Sequence, residues 1–167
     1  MSLMTFRLSL PDPSATERLG SVLAGHLARG CLLTLQGDLG AGKTTLARAI
    51  ITALLERDGR IEPVPSPTFS LIQTYDTAGI TLTHADLYRI DDAGATRELD
   101  LQGALDIGAL LVEWPRFLKG LSPATRMDIT LSFPPGESER PRARTAEIHT
   151  DGEISDSIRS DIGDFLL

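Results

Sequence analysis

Residues 37–45 read Gly-Asp-Leu-Gly-Ala-Gly-Lys-Thr-Thr, which meets the phosphate-loop pattern G-x-x-x-x-G-K-[ST] at every fixed position. The flanks agree with it. Cys31-Leu32-Leu33-Thr34-Leu35 is a short apolar run suited to a buried strand, and residues 44–56 carry Leu46, Ala49, Ile50, Ala53 and Leu54 at helical spacing. A strand, a glycine turn and a helix start gather free backbone N–H groups and the positive helix end around one point, which suits a di- or triphosphate. The candidate phosphate ligands are therefore Asp38, Leu39, Gly40, Ala41, Gly42, Lys43, Thr44 and Thr45. Lys43 adds a point charge for the outer phosphates, and the Thr44 hydroxyl suits the Mg²⁺ that travels with them. On sequence alone Lys43 reads as a solvent-facing charge on a preformed loop. The bland alternative is a glycine-rich turn that only caps a helix.

The rest of the chain fits a single α/β domain of the P-loop type, with a mixed, largely parallel central sheet flanked by helices. Its 167 residues suit one domain core, 1–150, followed by an acidic tail, 151–167, which supplies -4 of the formal charge of -7. In that tail Ile154, Ile158, Ile162, Phe165 and Leu166 share one face of a possible helix that docks on its own domain or on a partner. Net acidity argues against nucleic acid held through the general field, so no direct DNA partner is expected and a protein partner is favoured. No apolar run approaches a membrane span, and the expected address is cytoplasmic. Cys31 is the sole cysteine and reads as a buried thiol.

In chain order, residues 4–10 alternate as a strand. A helix is predicted from Pro13 to about Arg29, with Ser14 and Glu17 at capping-box spacing and Gly30 as its stop. Pro63, Pro65 and Pro67 forbid a helix across 64–68, an exposed extended loop in which Thr68 either offers a second hydroxyl near Mg²⁺ or belongs to a plain surface turn. Residues 69–75 and 80–86 read as a hairpin, with Leu82, His84 and Asp86 on one face of its second strand. His84 taken alone reads as a hydrogen-bonded structural histidine rather than a catalytic base. A helical acidic stretch covers 91–105, in which Glu98, Asp100 and Asp106 read as solvated charge. Ala109 to Val112 is a run buried on both sheet faces that ends in Glu113-Trp114-Pro115. Residues 127–133 and 144–150 read as a second strand pair around the loop 134–142, with Arg140, Arg142 and Arg144 either phosphate or ring contacts or the charges of a solvated hairpin.

Asp86 and Glu113 are thus two carboxylates at strand ends, where an α/β sheet holds its ligands. One of them can hold Mg²⁺ directly or through water while the other orients the attacking water; the sequence leaves both assignments open. ATP is favoured over GTP because Lys119 is followed by Gly120-Leu121, not by the x-Asp of the guanine-reading motif.

Together Gly37 to Thr45, Ser66-Pro67-Thr68-Phe69, His84-Ala85-Asp86-Leu87-Tyr88-Arg89 and Leu111-Val112-Glu113-Trp114-Pro115 resemble the bacterial TsaE (YjeE) family, in its order and spacing over roughly residues 5–150. The resemblance implies a small Mg²⁺-dependent ATPase that works with the TsaB and TsaD proteins to make threonylcarbamoyladenosine at position 37 of transfer RNAs, with tRNA reached only through the complex. It further implies Thr44 and Glu113 as the Mg²⁺ positions, Asp86 as needed for hydrolysis, Thr68 as switch-like and Trp114 as a neighbour of the nucleotide. Pro13, at the first helix start, and a late-hairpin arginine, taken as Arg142, would edge the nucleotide. Lys43, Asp86 and Glu113 are then the catalytic set. Two other function classes use the same loop: a small-molecule kinase with the arginine hairpin as lid, and a nucleotide-gated binding module with negligible turnover.

Overall fold

The computed structural model describes residues 3–136 and 142–167, except for the side chains of 152, 153 and 155. Seven strands make one sheet in the order β1-β7-β6-β2-β5-β4-β3. They are β1 (Met4–Leu10), β2 (Cys31–Gln36), β3 (Ile72–Asp76), β4 (Thr81–Asp86), β5 (Ala109–Glu113), β6 (Thr125–Ser132) and β7 (Arg144–Thr150). The central run β6-β2-β5-β4 is parallel throughout, and the outer pairs β1–β7, β6–β7 and β3–β4 are antiparallel. The first strand therefore closes on the last one and makes no N-terminal hairpin.

Alternation within the buried strands divides the core in two. Leu33, Leu35 and Leu111 face one side with α1 (Pro13–Ala24), α2 (Lys43–Arg57) and α5 (Gly152–Asp161). Leu32, Leu110 and Val112 face the other with α3 (Ala93–Arg97) and α4 (Leu101–Ile107) through Leu101 and Leu105. A Cβ on Gly20 of α1 would overlap the Ala49 Cβ of α2, so a glycine there sets how closely the two helices pack.

Four sequence expectations are corrected. Helix α1 ends at Ala24, and its cap is Asp12, whose carboxylate accepts the Ala15 N–H at 2.8 Å, while Ser14 accepts from Arg18. Gly30 is no helix stop: its N–H donates to Gly108 and its carbonyl accepts from Ala124, which fixes the lead into β2 between β5 and β6. The 91–105 stretch breaks into two short helices because Asp100 takes a left-handed conformation (φ 46°) and caps α4 on the Gly103 N–H; it is a structural carboxylate, not merely a solvated one. Strand β3 starts only at Ile72, after Leu71 (φ 62°) turns its N–H back to Pro67 O at 2.7 Å. In the tail, Ile158, Ile162 and Phe165 are buried in the main core, Leu166 bridges to Leu8, and the helix docks on its own domain.

Candidate functional site

The site lies at the carboxyl ends of β2, β5 and β4, where register sets Leu35 beside Glu113 and Glu113 beside Asp86. After β2 the chain turns at Gly37 (φ 138°), where a Cβ would collide with the Leu131 carbonyl oxygen, and again at Gly40 (φ 78°). Gly42 (φ 107°) occupies the N-cap of α2 with no capping side chain, so the first-turn N–H groups of α2 have no intrahelical acceptor and face the loop. Arg144 on β7 braces this loop from behind, its guanidinium donating to Ala41 O and Gly40 O at 3.1 Å each and stacking 4.4 Å over Phe133.

Lys43 is only 5% exposed, contrary to a solvent-facing reading. Its ammonium donates to the carbonyls of Gly37 and Asp38 at 2.7 and 2.8 Å and sits 3.9 Å over the indole of Trp114. Burial pushes it below the ordinary lysine value, against the raising pull of Glu113, Asp38 and Asp86. Trp114 reaches it because the residue after β5 adopts a left-handed conformation (φ 58°) while its N–H still pairs with Leu35 O. The Tyr88 ring flanks that indole at 4.9 Å.

Both oxygens of the Glu113 carboxylate are engaged: the Thr44 hydroxyl donates to Oε1 and His84 Nε2 lies on Oε2, each at 2.8 Å. Glu113 and His84 are 1% and 0% exposed. Asp86 beside them accepts the Tyr88 N–H on Oδ1 at 3.0 Å. Burial raises its pKa above the ordinary carboxylate range; the Tyr88 bond opposes this, Glu113 reinforces it, and His84 and Lys43 oppose it.

Against known proteins, residues 10–141 match the family described as threonylcarbamoyl adenosine biosynthesis protein TsaE. The chain belongs to the TsaE family. It is 36% identical over 124 residues to the tRNA threonylcarbamoyladenosine biosynthesis protein TsaE of Rickettsia felis, covering 74% of this chain and 71% of that one. To the protein of the same name in Bacillus subtilis it is 34% identical over 137 residues, covering 81% and 82%. The crystal structure of Bacillus YdiB shares the fold, with a TM-score of 0.71 over 98% of this chain and 97% of that one at 23% identity.

Of the residues that resemblance to TsaE marks, Lys43, Thr44, Glu113, Asp86 and Trp114 converge on one point. Thr68 bonds the Ser66 hydroxyl at 2.7 Å, and its loop connects to the site through the backbone, Leu71 O accepting the Asp86 N–H at 2.9 Å. Asp38, Leu39 and Gly40 are exposed on the loop and Ala41 is buried beneath it. Thr45 lines a groove of about 380 Å³ between α1 and α2, together with Glu17, Ser21 and Arg48. Pro13 is the exposed first residue of α1, and Arg142 is exposed; the arginine that touches the phosphate loop is Arg144. Arg140 lies outside the described residues. Sequence reasoning passed over His84 as a partner of Glu113, although its period-two relation to Asp86 already put both on one face.

Proposed function

We propose that this TsaE-family chain binds ATP with Mg²⁺ and hydrolyses it as the nucleotide-dependent component of tRNA threonylcarbamoyladenosine synthesis, acting in the cytoplasm with TsaB and TsaD and reaching tRNA through them. The family's name supplies the pathway. The observation that carries the chemistry is the hydrogen bond from the phosphate-loop hydroxyl of Thr44 to the buried carboxylate of Glu113, with Asp86 in register beside it.

The residues present fit Mg²⁺. Thr44, Glu113 and Asp86 offer hard oxygen donors, and among the described residues no group of three or more His, Cys, Asp or Glu makes a closed metal cage. That suits an ion which keeps several waters and takes the remaining ligands from phosphates. When bound, Mg²⁺ would supply charge neutralisation to the phosphate oxygens. The protein's own groups do the rest. Backbone N–H groups at the start of α2 would cradle the phosphates, and Lys43 holds a positive charge beside them. Glu113 orients the Thr44 hydroxyl. Asp86 is made more basic than a free carboxylate by burial, so it is the better proton acceptor for an attacking water.

Two measurements test this. Glu113→Gln should weaken Mg²⁺-dependent ATP binding more than Asp86→Asn, whereas Asp86→Asn should mainly lower turnover; equal effects on affinity and rate in both would refute the division of roles. Tracing the γ-phosphate with TsaB and TsaD present should find it released to water. Transfer to a metabolite, or no turnover at all, would favour the kinase or the binding module.

A further inference from the structure

Position 84 is a poor place for a histidine that serves packing alone. Leu82, two residues upstream on the same face of β4, is wholly buried, and so is His84. An aliphatic side chain would fill that space without a polar atom. Instead, among the described residues, the only buried side-chain nitrogen or oxygen atoms without a partner are Tyr75 Oη and His84 Nδ1. The imidazole leaves one nitrogen without a hydrogen bond and spends the other on Glu113 Oε2 at 2.8 Å. A carboxylate is an acceptor, so Nε2 carries the proton of this hydrogen bond.

We propose that His84 is the positioning residue of this site: its Nε2–H fixes Glu113 so that Oε1 stays on the Thr44 hydroxyl, and the Mg²⁺ dependence of nucleotide binding follows from that. The inference rests on the reading of Thr44 and Glu113 as the Mg²⁺ positions. Parallel register explains why one residue does this. Asp86 stands directly beside Glu113, and His84 stands opposite Leu111, one pleat back, from where a side chain long enough to reach diagonally meets the far carboxylate oxygen. With Thr44 on one oxygen and His84 on the other, the carboxylate plane has no freedom to rotate. Partners of this kind, behind a metal-holding group, change metal affinity by about 10- to 100-fold when removed.

Glutamine and asparagine separate this role from packing, because a Gln amide N–H reaches the place of Nε2 and an Asn amide N–H the place of Nδ1. ATP affinity is measured by calorimetry in EDTA and in Mg²⁺ for the wild type, His84→Gln, His84→Asn, His84→Leu and Glu113→Gln, with thermal unfolding as the control for folding. The ring tautomer is read in the free wild-type protein by ¹⁵N NMR. The expected results are an Nε2–H tautomer, a loss of about 10- to 100-fold in the Mg²⁺-dependent gain for Leu and Asn with EDTA affinity unchanged, and retention of that gain in Gln. An Nδ1–H tautomer, or Asn performing as well as Gln, overturns the proposal. If Glu113→Gln loses the gain while His84→Leu keeps it, His84 is no positioning residue and the Mg²⁺ site stands. If neither loses it, the assignment of Glu113 to Mg²⁺ falls, and this inference with it.

Discussion

Replacing Lys43 by Met keeps most of the side chain's length and removes its charge, and the structure says that this should be felt twice. The ammonium makes two hydrogen bonds to loop carbonyls and one cation–π contact with Trp114. Charge-assisted bonds are worth about 1.5–3 kcal/mol each and the π contact about 0.5–1 kcal/mol, before the desolvation of the ammonium is set against them. That desolvation is substantial, since burial is the largest influence on Lys43 and acts to lower its pKa. The freed carbonyls also lie on a half-buried Gly37 and an exposed Asp38, where water can replace the lost donor. The net loss is then about 1–2 kcal/mol, which in a chain of this size lowers Tm by about 2–8 °C. Circular-dichroism melting measures that effect, and calorimetric titration of ATP measures the second one, loss of phosphate binding. An unchanged Tm would refute Lys43 as a buried brace of its own loop. Unchanged ATP affinity in a folded variant would refute the site.

Asp86→Asn should stabilise the nucleotide-free protein near neutral pH. The raised folded-state pKa means that Asp86's favourable contribution is fully present below the ordinary carboxylate value and is lost as pH rises through the raised one, so the variant's advantage should vanish toward acid pH. A Tm difference that does not change with pH would contradict this. Gly37→Ala should cost about 2–4 kcal/mol, since its Cβ would meet backbone at Leu131 in a conformation that side chains rarely adopt; a urea midpoint close to wild type would show that the turn can shift. Trp114, the sole tryptophan, lies on Lys43, so its fluorescence should change when ATP and Mg²⁺ are added together. A flat signal in a sample that calorimetry shows to be saturated would separate Trp114 from the nucleotide.

What the sequence made legible was whatever depends on local pattern. The phosphate loop, the buried run at 109–112 and the two strand-end carboxylates were readable because motif spacing and strand periodicity are properties of neighbouring residues. Long-range register was not. Pairing of β1 with β7 joins segments some 140 residues apart, and no local pattern encodes it. Helix limits were not legible either: α1 stops at Ala24 and residues 25–30 lead into β2, and Asp100 breaks a helical pattern through its own backbone conformation. Within the site, Arg144 could not be told from Arg142 until β7 was placed beside the phosphate loop. The contact of His84 with Glu113 needed the parallel pairing of β4 with β5.

The proposed ATP hydrolysis needs a reactive geometry that protein partners complete. Among the described residues the Thr68 hydroxyl bonds that of Ser66, and its proline-rich loop is joined to the site by backbone bonds at Leu71 and Asp86, so a partner docked on that loop would reorganise the site. The most direct test is the rate of phosphate release from ATP by the chain alone, with TsaB and TsaD, and with tRNA alone. The expected result is slow hydrolysis by the isolated chain, acceleration by the two proteins and no acceleration by tRNA without them. Fast hydrolysis by the isolated chain, or stimulation by tRNA in the absence of TsaB and TsaD, would contradict it.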